Sequence, residues 1–136
     1  MEQQYSRAWQ YFEYHAKQRI DTFKFYITFS TFLMGSVFAV LDTNILFKNI
    51  ITIAILCILI LFSVLFWFLD KRNRDLIEIA KKTIIEIEAN QQIDEKFKIF
   101  TKAKKEEGIY KKVFCLIFSI FIILSLLSII FICYNF

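Results

Sequence analysis

The chain has 136 residues, 57% of them hydrophobic, with 17 Phe, no Pro and only two Gly. A soluble domain is about 45–50% apolar with ordinary Gly and Pro content. The excess here falls in three blocks, which excludes an ordinary soluble globule and fits a multi-pass membrane protein. The net charge of +4 suits a surface that meets an anionic inner leaflet or an acidic ligand.

The first element, residues 1–24, is a charged and aromatic segment bearing Trp9, Tyr11, Phe12, Tyr14, His15, Lys17 and Arg19. It passes without a breaker into an apolar span, and the first glycine is Gly35. One helix is therefore expected to start in water and end across a bilayer. Met1-Glu2-Gln3-Gln4 lacks the basic region, brief apolar core and small-residue cleavage site of a secretory signal. Span one covers roughly residues 25–41, with Lys24 able to snorkel and with Phe23 and Tyr26 at interfacial level.

Asp42-Thr43-Asn44 opens a short hairpin that ends near Lys48, and an uncharged second span follows over roughly residues 49–69. Residues 25–69 thus form a transmembrane helical hairpin. Trp67 and Phe68 mark its exit, and the charged run Asp70-Lys71-Arg72-Asn73-Arg74-Asp75 comes at once. Residues 70–112 are expected to form a second, non-membrane helical hairpin. Ile77, Ala80, Ile84 and Ile87 recur at helical spacing, so span two should continue as helix to about Ala89. Asn90-Gln91-Gln92 offers a turn, Ile93, Phe97 and Phe100 line one face of a further helix, and Gly108 is suited to close it. A third span over roughly residues 113–133 and a short tail complete the chain, in a segment running from 113 to 136. The expected fold is an all-α membrane protein, with three transmembrane helices above a cytoplasmic bundle of the N-terminal helix and the 70–112 connection.

Lys and Arg placement sets the orientation. The N-terminal segment holds Arg7, Lys17, Arg19 and Lys24, and the first hairpin holds only Lys48. The second connection is dense in lysine, including Lys81, Lys82, Lys104 and Lys105. The N-terminus and the long connection are expected in the cytoplasm of a bacterial inner membrane, with the C-terminus external. Cys57, Cys115 and Cys133 lie in apolar blocks without metal-ligand spacing, and read as small buried hydrophobes.

Tyr11, His15, Arg19 and Thr22 share one side of the first helix, beside an apolar stripe of Trp9, Phe12, Ala16, Ile20 and Phe23. Arg19 offers a planar fork for phosphate, His15 can donate, and the tyrosines offer stacking faces. Lys81 and Lys82 stand far enough from the spans that topology alone does not require them. These five residues, Tyr11, His15, Arg19, Lys81 and Lys82, are the candidate site for a nucleotide or short oligonucleotide. The plainer alternative is a helix packed in a bundle, with Arg19 on phospholipid headgroups and His15 bonded to a neighbour. Thr28, Thr31, Gly35, Ser119 and Ser125 are candidates for pore lining or helix packing, and Thr31 to Gly35 has the spacing that lets helices approach closely.

No Asp, Glu, Lys, Arg or His lies within the spans, which argues against an ion-coupled transporter. The lone His15 has no nucleophile at motif spacing, and there is no Gly-rich phosphate loop or metal cluster, so neither enzyme chemistry nor a cofactor is expected. Three helices cannot enclose an aqueous path. Conduction requires several copies around an axis and gating by dewetting at an apolar constriction.

The pattern Trp9, Tyr11-Phe12, His15-Ala16 and Gln18-Arg19, followed by Phe23, Phe25 and a span, resembles small bacterial multi-pass proteins of anti-phage defence operons, among them the Hailong-type channel effectors. The resemblance implies a homo-oligomeric channel that depolarises the cell in abortive infection. It also implies control by a nucleotide-derived ligand, made by a nucleotidyltransferase encoded in the same operon. The alternative of another class is a non-conducting membrane anchor that recruits a soluble partner.

Overall fold

The structure, a computed structural model, describes residues 2–90 and 107–134. They form three helices, α1 (Glu2–Leu41), α2 (Lys48–Asn90) and α3 (Glu107–Tyr134), and all three are long and apolar enough to cross a membrane. At 1.5 Å per residue, α1 and α2 are each about 60 Å long, twice the roughly 30 Å of a hydrocarbon core. Each therefore has a membrane half and a charged half joined without a break, as expected from the lack of Pro and Gly.

α1 and α2 are antiparallel and are joined by a tight turn. Its backbone bonds run from Asp42 N to Phe38 O (3.2 Å), Thr43 N to Val40 O (3.1 Å) and Lys48 N to Ile45 O (3.2 Å). Thr43 Oγ1 adds a bond to Val40 O at 2.7 Å, so carbonyls freed at the end of α1 find donors inside the turn. α2 then runs back along α1, and α3 packs against α2 and reaches rings of α1 as well.

The core is aromatic. Tyr26, Phe66 and Phe118, one from each helix, are buried together, with Phe23, Phe62, Phe114 and Phe121 packed against them. Tyr26 meets Phe118 edge-on at 4.6 Å, a favoured ring geometry. Tyr26, expected at interfacial level, is 1% exposed and faces the interior between the three helices. Its hydroxyl lies 2.9 Å from Ser63 Oγ. Ser63 gives its single proton to Leu59 O at 2.8 Å, so Tyr26 is the donor of that pair.

Three further expectations change. Trp9 and Ile20 are exposed, and the inward stripe of α1 runs instead through Phe12, Ala16, Arg19, Phe23 and Tyr26. The cysteines are free, but Cys57, Cys115 and Cys133 all face outward on this chain. Gly108 does not close a helix. It lies within the first turn of α3, and no glycine among the described residues has positive φ. The segment with Ile93, Phe97 and Phe100 lies outside the described residues. Of the expected bundle, the described part is the pairing of α1 with the charged half of α2.

Candidate functional site

Where the apolar half of α2 ends, Leu69 is followed by Asp70, whose side chain is only 7% exposed. Helical spacing puts Arg74 one turn further along the same face, and the antiparallel partner brings Arg19 of α1 opposite. Arg19 Nε donates to Asp70 Oδ1 at 2.6 Å, while Arg74 Nε lies 3.2 Å from Oδ2. One carboxylate thus sits between two guanidinium groups from two helices. The third helix closes the cluster: the Arg19 guanidinium lies 4.6 Å from the ring centroid of Phe114, and Phe114 stacks on Phe23 at 4.0 Å with planes 6° apart. All three helices therefore meet at this level, where apolar span gives way to charge.

The cluster is not fully satisfied. Arg19 Nη2 and Arg74 Nε are buried without a hydrogen-bond partner. The Arg74–Asp70 contact is close enough for Coulomb attraction but lacks hydrogen-bond geometry. One further cation lies near. Lys81, about two turns beyond Arg74, approaches the Phe12 ring at 5.8 Å. Its pKa is held below the ordinary lysine value, first by burial and then by the charge of Arg19, against a smaller opposite pull from Glu78.

The five residues expected to bind a ligand divide accordingly. Arg19 and Lys81 lie within electrostatic reach of one another between α1 and α2. His15 is half-buried, one turn from Arg19. Its Nδ1 lies 3.2 Å from Gln18 Oε1, and Tyr11 meets its ring edge-on at 4.3 Å. Lys82 points away, forming an exposed pair with Glu78 at 3.1 Å.

The second set of candidates also divides. Ser125 is fully buried and bonds Phe121 O at 2.7 Å, so it packs between helices. Thr28, Thr31, Gly35 and Ser119 face outward. The three hydroxyls return to their own helix backbones, at Lys24 O, Ile27 O and Cys115 O. A Cβ placed on Gly35 would meet nothing within 4 Å, so no helix of this chain uses it for close approach.

Asp70, Arg74 and Phe114 were not among the expected site residues. Asp70 and Arg74 did carry a signal, an acid followed by a base at i,i+4 directly after an uncharged span. The expectation took this run only as a marker of the membrane exit.

Residues 2–136 match the Octameric membrane protein family (8xMP). The chain is also 34% identical over 109 residues to CD-NTase-associated protein 19 of Escherichia coli, covering 75% of this chain and 69% of that protein. No solved structure matches. Both matches agree with the resemblance to small membrane effectors of anti-phage defence read from the first helix. The chain belongs to the octameric membrane protein family.

Proposed function

We propose that this member of the octameric membrane protein family assembles with copies of itself into an ion-conducting pore of the bacterial inner membrane. The pore depolarises the cell in anti-phage defence. A nucleotide or oligonucleotide, bound where α1 and α2 project into the cytoplasm, controls it.

The observation that carries this reading is the continuity of α1 and α2 through the junction at Asp70. Each helix has one half suited to lipid and one half rich in charge, and no break in either would absorb a movement between them. A ligand that shifts the charged halves therefore shifts the spans. Several copies are required because three helices packed around Tyr26, Phe66 and Phe118 leave their interior filled with rings. Lys and Arg placement supports a cytoplasmic charged half. Arg19 and Lys81 supply cationic groups for phosphate, with the Tyr11 ring exposed nearby for stacking. The name of the Escherichia coli relative associates it with a CD-NTase, which supports a nucleotidyltransferase as the source of the ligand.

Induced expression with a membrane-potential dye tests the proposal. Depolarisation that depends on the co-expressed nucleotidyltransferase is expected. A confirmed oligomer that never depolarises cells, in any ligand state, would leave the non-conducting anchor as the better reading.

A further inference from the structure

The orphaned donors of the Asp70 cluster require an explanation. A buried guanidinium nitrogen without a partner is costly, and such groups in stable proteins usually mark a bound water or ion. Arg19 Nη2 is such a group, and Arg74 Nε has only its 3.2 Å ion-pair contact with Asp70 Oδ2, the two lying on the side chains that flank one carboxylate. The charge is also unbalanced, since two guanidinium groups share the single negative charge of Asp70. Asp70 cannot correct this. Each of its oxygens already faces one guanidinium, and Arg19 Nη2 is left without a hydrogen bond. A phosphate group has more acceptor oxygens, arranged in three dimensions, and paired guanidinium forks match it bidentately where a lysine would act only as a point charge.

We propose that Arg19 and Arg74 form a phosphate-binding site in which Asp70 is the resident anion that an incoming phosphate competes with. Phe114 is the positioning residue. Its ring, held flat against Phe23, braces the Arg19 guanidinium from α3, so the competition is felt by all three helices. The site lies at the junction of span and charged half, and the Arg19 and Arg74 side chains remain 17% and 20% exposed there, which is the edge from which the phosphate of a lipid headgroup or of a soluble nucleotide would approach. The inference deepens the proposed ligand control and rests on it only for the consequence, not for the binding.

The test uses the purified full-length assembly in an uncharged, phospholipid-free detergent, titrated with pyrophosphate and followed by thermal shift. Native mass spectrometry of the same preparation reads any phospholipid carried from the membrane. Arg74→Gln is expected to weaken phosphate binding about tenfold or more. Asp70→Asn is expected to strengthen it, because the competitor loses its charge. Arg74→Lys keeps a cation opposite Asp70 but lacks the fork, so it should assemble and still bind more weakly than wild type. Pyrophosphate binding with this pattern supports the site and identifies a soluble phosphate as its occupant. Retained phospholipid that is lost in Arg74→Gln and Arg74→Lys supports it with a headgroup as occupant. Binding of neither, or binding that Arg74→Lys leaves unchanged and Asp70→Asn fails to raise, overturns it. Ion flux from liposomes is scored separately. A wild-type oligomer that binds phosphate but never conducts removes the pore and leaves the site, whereas one that conducts without binding does the reverse.

Discussion

The two halves of the α1–α2 hairpin are held together by different chemistry. Towards the turn, the buried residues are Ser30, Val37, Thr52, Leu56, Leu59 and Ser63, with Tyr26 and Phe66 below them. The polar atoms there are hydroxyls, and Thr52 and Ser63 both return theirs to the preceding turn of α2. Towards Glu2 and Asn90, the inner face of α2 buries Asp70, Asn73, Ala80, Ile84 and Glu88, and its junction with α1 is an ion pair. The Thr52 and Ser63 hydroxyls have their own helix backbone as partner, so helices in the membrane half can change neighbours at little cost. A carboxylate between two arginines has no such alternative. The charged half sets the register of α1 on α2, and the membrane half remains free to repack against lipid or another copy.

Substitutions that act on one half alone sharpen this contrast, and the largest effect is expected at Asp70. Asp70→Ala leaves Arg19 and Arg74 buried without their carboxylate, and removing one partner of a buried pair costs about 3–5 kcal/mol. Thermal unfolding in detergent measures the loss. Replacing the whole cluster with apolar groups, Arg19→Met, Asp70→Leu and Arg74→Met together, should recover much of the stability while abolishing ligand control. In the membrane half, Phe118→Ala removes a fully packed ring and should cost about 3 kcal/mol, the lower part of the usual range, because lipid can fill part of the cavity. Tyr26→Phe removes only the bond to Ser63 and should cost about 0.6 kcal/mol, the average for such bonds between membrane helices. A loss at Tyr26 as large as at Asp70 would erase the distinction between the halves.

The smallest effect is expected at Lys81, and its sign is opposite. Burial and Arg19 depress its pKa in the folded chain, so its charge is a penalty to folding. That penalty is fully present below the folded pKa. It is relieved as pH rises through the folded value towards the ordinary lysine pKa, because the unfolded chain then holds more protons. Lys81→Gln should therefore raise the melting temperature slightly at neutral pH and flatten the alkaline rise in stability, while weakening phosphate binding.

Helix extent was legible in the residues because the absence of Pro and the scarcity of Gly leave few places for a helix to stop. The expectation of helix to about Ala89 falls within α2, which is helical through Asn90, the last described residue before position 107. Which face points inward was less legible. In a chain surrounded by lipid, apolar residues face outward as readily as inward, so Ile20 and Cys57 looked buried by composition and are exposed on this chain. Gly35 suggested close approach by its size alone, yet the space beside it is open. Arg19 was found as a residue of interest, but its partner was not, because a contact between positions 19 and 70 depends on the register of two long helices. That register also shows in Tyr26 on Ser63 and Phe29 on Phe62, pairings that no local pattern marks.

Ion flux from liposomes containing wild type, Asp70→Arg, or the exchanged pair Arg19→Asp with Asp70→Arg addresses the link between the charged cluster and the spans most directly. Ligand-dependent flux is expected from wild type, its regulation is expected to vanish in Asp70→Arg, and the exchanged pair should restore it in part. Regulated flux that survives unchanged in Asp70→Arg, in an oligomer of wild-type size, would contradict coupling through this cluster.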